Sequence, residues 1–143
     1  MNKICIYSFY DKKGIVDNFV LDMLREMEKY VSQIFFVSNG EIDSKGKKKL
    51  KEISCVKIFE RENKGFDITG IKEALIKIGF QKLKAYDELI IINSSIMGPV
   101  YLFKDMFTEM SLKDLDFWGM TTYSKEEEDP WDNSKYNYIP AHL

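Results

Sequence analysis

Short apolar runs and helical stripes take turns along this chain. Ile4 to Ser8 is a compact, β-prone run that predicts a buried strand. Polar residues Asp11 to Gly14 end it. Ile15, Val16, Phe19, Val20, Met23, Leu24, Met27 and Val31 then recur at helical spacing, which predicts a long amphipathic helix. Ile34 to Val37 reads as a second strand, closed by the turn signal Ser38-Asn39-Gly40. Asp43 or Ser44 can cap a short lysine-rich helix. A third strand is expected at Val56 to Phe59. The polar loop Arg61 to Gly65 follows, and Asp67 and Thr69 are candidate caps for a helix with the stripe Ile71, Ala74, Leu75 and Ile78. Leu89 to Ile92 has no polar interruption, as expected of a strand covered on both faces. Beyond Gly98-Pro99, the stripe Leu102, Phe103, Met106, Phe107 and Met110 predicts another helix, and Asp116 to Thr121 a fifth strand.

This alternation predicts an α/β fold: a mostly parallel sheet of about five strands with helices on both faces, joined by right-handed crossovers. Ligands of such sheets bind at the carboxyl ends of the strands. The segments that matter are therefore Ser8 to Asp11, Ser38 to Gly40, Arg61 to Asp67 and Asn93 to Gly98. Asn63, Gly65, Asp67 and Asn93 are expected to converge there on one cleft. Residues 1–123 are expected to form a Rossmann-like domain. Residues 124–143, acidic and then rich in aromatics and turns, read as an irregular tail cut from a longer domain.

Composition narrows the picture slightly. With 143 residues, 45% hydrophobic and 31% charged, the chain has the size and balance of one globular domain. Its net charge of -2 argues against a nucleic-acid binder. The lysines from Lys45 to Lys51 read first as a solvated helix face and second as an anion or membrane patch. Cys5 and Cys55 each lie within an apolar run, as buried reduced thiols of a cytoplasmic protein do. The apolar run after Met1-Asn2-Lys3 is too short for a signal peptide or a membrane span.

Several chemistries have no signature. The glycine fingerprint of dinucleotide binding, the P-loop and the nucleophile elbow are all missing from the sequence. The single histidine, His142, gives no basis for a histidine-centred triad. Two segments remain informative. In Asn63-Lys64-Gly65-Phe66-Asp67, Gly65 permits a tight turn near a ligand, and Asn63 and Asp67 can bond a base or ribose. A plain loop with Asp67 or Thr69 as cap is the simpler reading. In Asn93-Ser94-Ser95-Ile96-Met97-Gly98-Pro99, small polar side chains follow a strand and can reach a phosphate or a sugar hydroxyl. A polar turn with Pro99 opening a helix explains them equally well.

Taken in order, these segments resemble the rhamnan synthesis protein F family of bacterial polysaccharide-assembly proteins. The resemblance rests on Asn63-Lys64-Gly65-Phe66-Asp67, Tyr86-Asp87-Glu88, Asn93-Ser94-Ser95, Gly98-Pro99 and Asp116-Phe117-Trp118-Gly119. Tyr10-Asp11, Gly14 and Ser38-Asn39-Gly40 also fit. That family is similar to nucleotide-sugar transferases of the GT-A type. The resemblance therefore implies a cytoplasmic glycosyltransferase of the hexosyltransferase class, at the inner face of the membrane. Its donor would be a nucleoside-diphosphate sugar such as dTDP-rhamnose, and its acceptor a polysaccharide or a lipid-linked glycan. The implied substrate-binding residues are Ser8, Asp11, Asn63, Lys64, Gly65, Asp67, Asn93, Ser94, Ser95 and Gly98. No catalytic residue is assigned: the general base is expected beyond Leu143, with Asp116 a weaker stand-in. GT-A enzymes hold a divalent metal with a D-x-D triplet, but the matching position here is Asn93-Ser94-Ser95, which lacks a carboxylate. No metal site is expected in the protein alone, and manganese or magnesium only together with bound nucleotide. The neutral triplet keeps a second reading open, a non-catalytic sugar- or nucleotide-binding module. A receiver-like domain shares the alternation but would need an acidic pair after the first strand.

Overall fold

A computed structural model describes residues 1–120. Nine elements follow in order: β1 (Lys3–Phe9), α1 (Asn18–Glu28), β2 (Gln33–Asn39), α2 (Ser44–Lys51), β3 (Val56–Arg61), α3 (Phe66–Ile78), α4 (Phe80–Leu83), β4 (Glu88–Asn93) and α5 (Lys104–Ser111). The four strands make one parallel sheet in the order β3-β2-β1-β4. The α/β class expected from the sequence is thus the fold observed.

Strand order explains why helices lie on both faces. From β1 to β2 to β3 the chain steps in one direction, and from β3 to β4 it steps back across the sheet. Right-handed crossovers then put α1 and α2 on one face and α3 on the other. The register sorts the side chains accordingly. Ile4, Ile6, Phe35 and Val37 form a cluster with Ala74 and Ile78 of α3. On the opposite face, Tyr7 stacks on Phe36 with ring centroids 5.5 Å apart, and Phe9 tilts against the same ring at 5.2 Å. Every residue of β1 and β2 is buried, as central strands require.

The helices differ in detail from the sequence pattern. α1 is shorter than its apolar stripe: Val16 and Val31 are buried but lie outside it. Asp43 caps α2 by accepting a hydrogen bond from the Gly46 amide. The lysines of α2 are divided: Lys45, Lys48 and Lys51 are exposed, Lys47 pairs with Glu60 at 2.9 Å, and Lys49 donates to Asn18 at 3.4 Å. Pro99 does not open a helix; α5 begins later, at Lys104.

Two expectations need correction. β4 is an outer strand, and one of its faces is open: Leu89 is 39% and Ile91 46% exposed. An uninterrupted apolar run looks the same at the edge of a sheet as at its centre. The expected fifth strand at Asp116 to Thr121 is not formed by residues 116–120, and Thr121 lies outside the described residues. The chain divides into two compact units, Met1–Asp105 and Met106–Leu143. The first contains the whole sheet; in the second, Phe107 meets Trp118 edge to face, 5.9 Å between centroids. The expected tail, 124–143, lies outside the described residues.

Candidate ligand-binding site

The face of the sheet that carries α3 is apolar along most of its length and polar at its carboxyl end. Period two continues the buried pair Phe35 and Val37 to Asn39, Ile4 and Ile6 to Ser8, Leu89 and Ile91 to Asn93, and Phe59 to Arg61. The register sets Asn39 opposite Arg61 and Ser8 opposite Asn93. A polar side chain from each strand therefore stands at this end of the face, in the order Arg61, Asn39, Ser8, Asn93, with the pair Arg61 and Asn39 two residues further along than Ser8 and Asn93, because Ser8 lies opposite Val37.

Asp67, in the first turn of α3, closes on the middle of this row. One carboxylate oxygen accepts the Ser8 hydroxyl at 2.7 Å and the Asn39 amide at 3.5 Å; the other accepts the Asn93 amide at 3.2 Å. Asn39 also donates to Ser8 at 3.3 Å, and Ser95 donates to Asn93 at 2.6 Å. Asp67 therefore does not cap α3. Gly65 holds the N-cap position in the left-handed region, φ 70°, without a side-chain bond. A Cβ there would lie 2.1 Å from the Thr69 hydroxyl, so the tight turn expected at Gly65 needs glycine on two grounds.

Arg61 anchors the row at the β3 edge. Its side chain is only 5% exposed. Nε and Nη2 grip the Glu73 carboxylate at 2.7 and 3.0 Å, Nη2 donates to the Lys64 carbonyl at 2.7 Å, and Nη1 donates to Asn39 Oδ1. These bonds hold the Glu73 carboxyl below its ordinary range.

The residues singled out from the sequence do not all share one place. Ser8, Asp67, Asn93 and Ser95 share one network. Ser8 is fully buried, so it reaches a ligand through Asp67 rather than directly. Ser94 ties the neighbouring loops: its amide donates to the Ser8 carbonyl at 2.9 Å and its hydroxyl accepts the Tyr10 amide at 3.5 Å. Asp11 uses one carboxylate oxygen on its own loop, accepting from Lys13 and Ile15 at 2.8 and 2.9 Å. Among the described residues, no hydrogen bond links the side chain of Asn63 or Lys64 to this network. They follow β3, and Asn93 ends β4, the two outer strands. Three strand spacings of roughly 4.8 Å separate those strands. Both residues are exposed, and Lys64 pairs with Glu62 at 2.8 Å. Gly98 lies in the segment between β4 and α5, in a cis bond to Pro99.

Sequence reasoning placed Asn39 and Arg61 within the strand-end segments without singling them out, and it missed Glu73. The signal was there in part: extending the alternation Phe35, Val37 by two residues puts Asn39 on the α3 face. Among the described residues no group of three or more His, Cys, Asp or Glu is placed to hold a metal ion. No described helix is long and apolar enough to cross a membrane.

An open parallel sheet whose polar residues meet at the strand ends, beside the point where the strand order reverses, is the layout of the ligand-binding α/β proteins. The chain is thus an α/β protein, and it belongs to the rhamnan synthesis protein F family, whose profile matches residues 34–143. Membership assigns it to rhamnan synthesis, a branch of polysaccharide biosynthesis. No curated protein and no solved structure matches the chain.

Proposed function

We propose that this chain binds a nucleoside-diphosphate sugar, dTDP-rhamnose fitting the family best, and serves as the donor-binding part of a GT-A-like glycosyltransferase. The observation that carries this reading is the Asp67 network at the switch point between β1 and β4. The strand order reverses there, and the crevice between the carboxyl ends of such strands receives the ligand. Among the described residues the donors to Asp67, from Ser8, Asn39 and Asn93, are all neutral, so no cation competes with ligand hydroxyls for this carboxylate. That suits a ribose or sugar diol and not a phosphate, which a carboxylate repels. The diphosphate then lies away from Asp67, where Lys64 and the exposed Asn63 amide supply donors.

Sugar transfer needs the leaving diphosphate stabilised and the acceptor hydroxyl positioned. The general base of such a transfer belongs to the part of the enzyme that follows this sheet. Asn93 and Ser95 spend polar groups on each other and on Asp67, which favours donor binding without a resident metal. The same neutral triplet supports a second reading, a non-catalytic module that holds the nucleotide sugar within an assembly complex.

Calorimetry with dTDP, with and without manganese, tests the proposal. Binding is expected in both conditions, and Asp67→Asn is expected to weaken it about tenfold or more, the scale of one charged hydrogen bond. No affinity for any nucleoside diphosphate would end the reading. A strict manganese requirement, or manganese binding without nucleotide, would restore conventional metal chemistry. Turnover of donor by the full-length protein separates the enzyme from the module.

A further inference from the structure

We propose that Arg61, remote from the carboxylate it serves, is the positioning residue of the site, acting on Asp67 through Asn39 and Ser8. The inference rests on the reading of Asp67 as the ligand-binding carboxylate. Its basis is the direction of the hydrogen bonds. A guanidinium has donors and no acceptor, so the atom of Asn39 that faces Nη1 must be the carbonyl oxygen. The amide nitrogen of Asn39 then points the other way, at Ser8 Oγ (3.3 Å) and Asp67 Oδ1 (3.5 Å). With its lone pairs facing Asn39, the Ser8 hydroxyl turns its proton to Asp67 at 2.7 Å. Every bond from Arg61 to Asp67 runs donor to acceptor in the same direction, from a buried cation to a carboxylate. Such aligned bonds polarise one another.

The fork geometry of arginine is what the place requires. Its three nitrogens serve Glu73, Asn39 and the Lys64 carbonyl at once. The lysine ammonium is a single point and cannot reach all three. Arg61 thus joins the loop that carries Asn63 and Lys64, on one edge of the sheet, to the orientation of Asp67 near its middle.

The test is a double-mutant cycle read by dTDP affinity in the intact chain. Arg61→Lys and Asn39→Ala are each expected to weaken binding about tenfold. If Arg61 acts through Asn39, the double variant binds no more than about twofold worse than Asn39→Ala alone. Full additivity, or wild-type affinity in Arg61→Lys, would overturn the proposal. Should Arg61→Lys fail to fold, Glu73→Gln, which loosens the same fork, replaces it in the cycle. If the wild-type chain binds no dTDP, the nucleotide reading fails by itself. The positioning claim is then decided by the side-chain amide resonances of Asn39. They are expected to shift and exchange faster in Arg61→Lys; unchanged resonances would refute it.

Discussion

Replacing Gly70 by alanine sets two opposed effects against each other. Gly70 lies inside α3 and is buried. By helix propensity alone, Gly70→Ala should stabilise the protein by about 1 kcal/mol. The structure predicts the opposite sign. A Cβ at this position would stand 2.9 Å from Asn39 Oδ1, 3.4 Å from Val37 Cγ1 and 3.5 Å from Asn39 Nδ2. The end of a free asparagine side chain would swing away at little cost. This one is held by Arg61 on its oxygen and by Ser8 and Asp67 on its nitrogen. Either α3 lifts from the sheet or the Asn39 bonds stretch, and overpacking of that kind costs about 1–3 kcal/mol. The net loss expected is about 1 kcal/mol. With a urea slope of roughly 2 kcal/mol per molar, the midpoint falls by about 0.5 M. In an Asn39→Ala background the clashing atoms are gone and only ordinary contact with Val37 remains. There the same substitution should raise the midpoint by a similar amount. Urea unfolding followed by circular dichroism gives both values. A midpoint that rises in the wild-type background, or moves the same way in both, would show that Asn39 is not rigidly held.

Two further outcomes follow from ionisable groups that are buried or, like Cys55, half-buried. Glu26 is 5% exposed and is held below its ordinary value chiefly by its bond to Lys29, with help from the Phe103 amide at 3.3 Å. A depressed carboxyl contributes stability above the unfolded value of about 4.3 and loses it as the pH falls through the folded value. The protection factor of the Phe103 amide, its intrinsic exchange rate divided by the observed rate at the same pH, should therefore fall in acid below that point, and Glu26→Gln should remove most of that pH dependence. Burial, with Glu28 close by, pushes the Cys55 thiol up to about 11, and burial pushes Cys5 higher still. At pH 8 Cys55 should react with Ellman's reagent roughly two-hundredfold more slowly than a free thiol, and Cys5 only on unfolding; a fast-reacting thiol in the native protein would refute both assignments.

What the sequence revealed and what it hid divide along physical lines. Elements set by local periodicity were legible: the run at Ile4, the stripe Ile71, Ala74, Leu75, Ile78, and the cap at Asp43. Asp67 and Asn93 were legible as polar residues at strand ends and loops, and the structure joins them in one hydrogen-bond network. The link between Arg61 and Asn39 was not legible, and nor was Glu73: Arg61 meets Asn39 across 22 residues of sequence, a contact that only the strand register creates. Reading Asp67 as a cap was reasonable on spacing, but Ser8, 59 residues away, claims its carboxylate. Strand order was equally hidden. Without it, Leu89 and Ile91 could be assigned to a strand covered on both faces.

The polar row has a consequence for how the sheet finds its alignment during folding. Parallel strands as apolar as Leu89 to Ile92 slide past one another with little penalty, because each apolar side chain resembles the next. Moving β4 by one residue against β1 would turn Asn93 to the other face and present Ile92 or Ser94 opposite Ser8. Asp67 would then lose a donor, and Asn93 would enter the layer of aromatic rings around Tyr7. A misaligned sheet is thus penalised at the carboxyl ends of its strands, so only correctly paired molecules complete the network around Asp67.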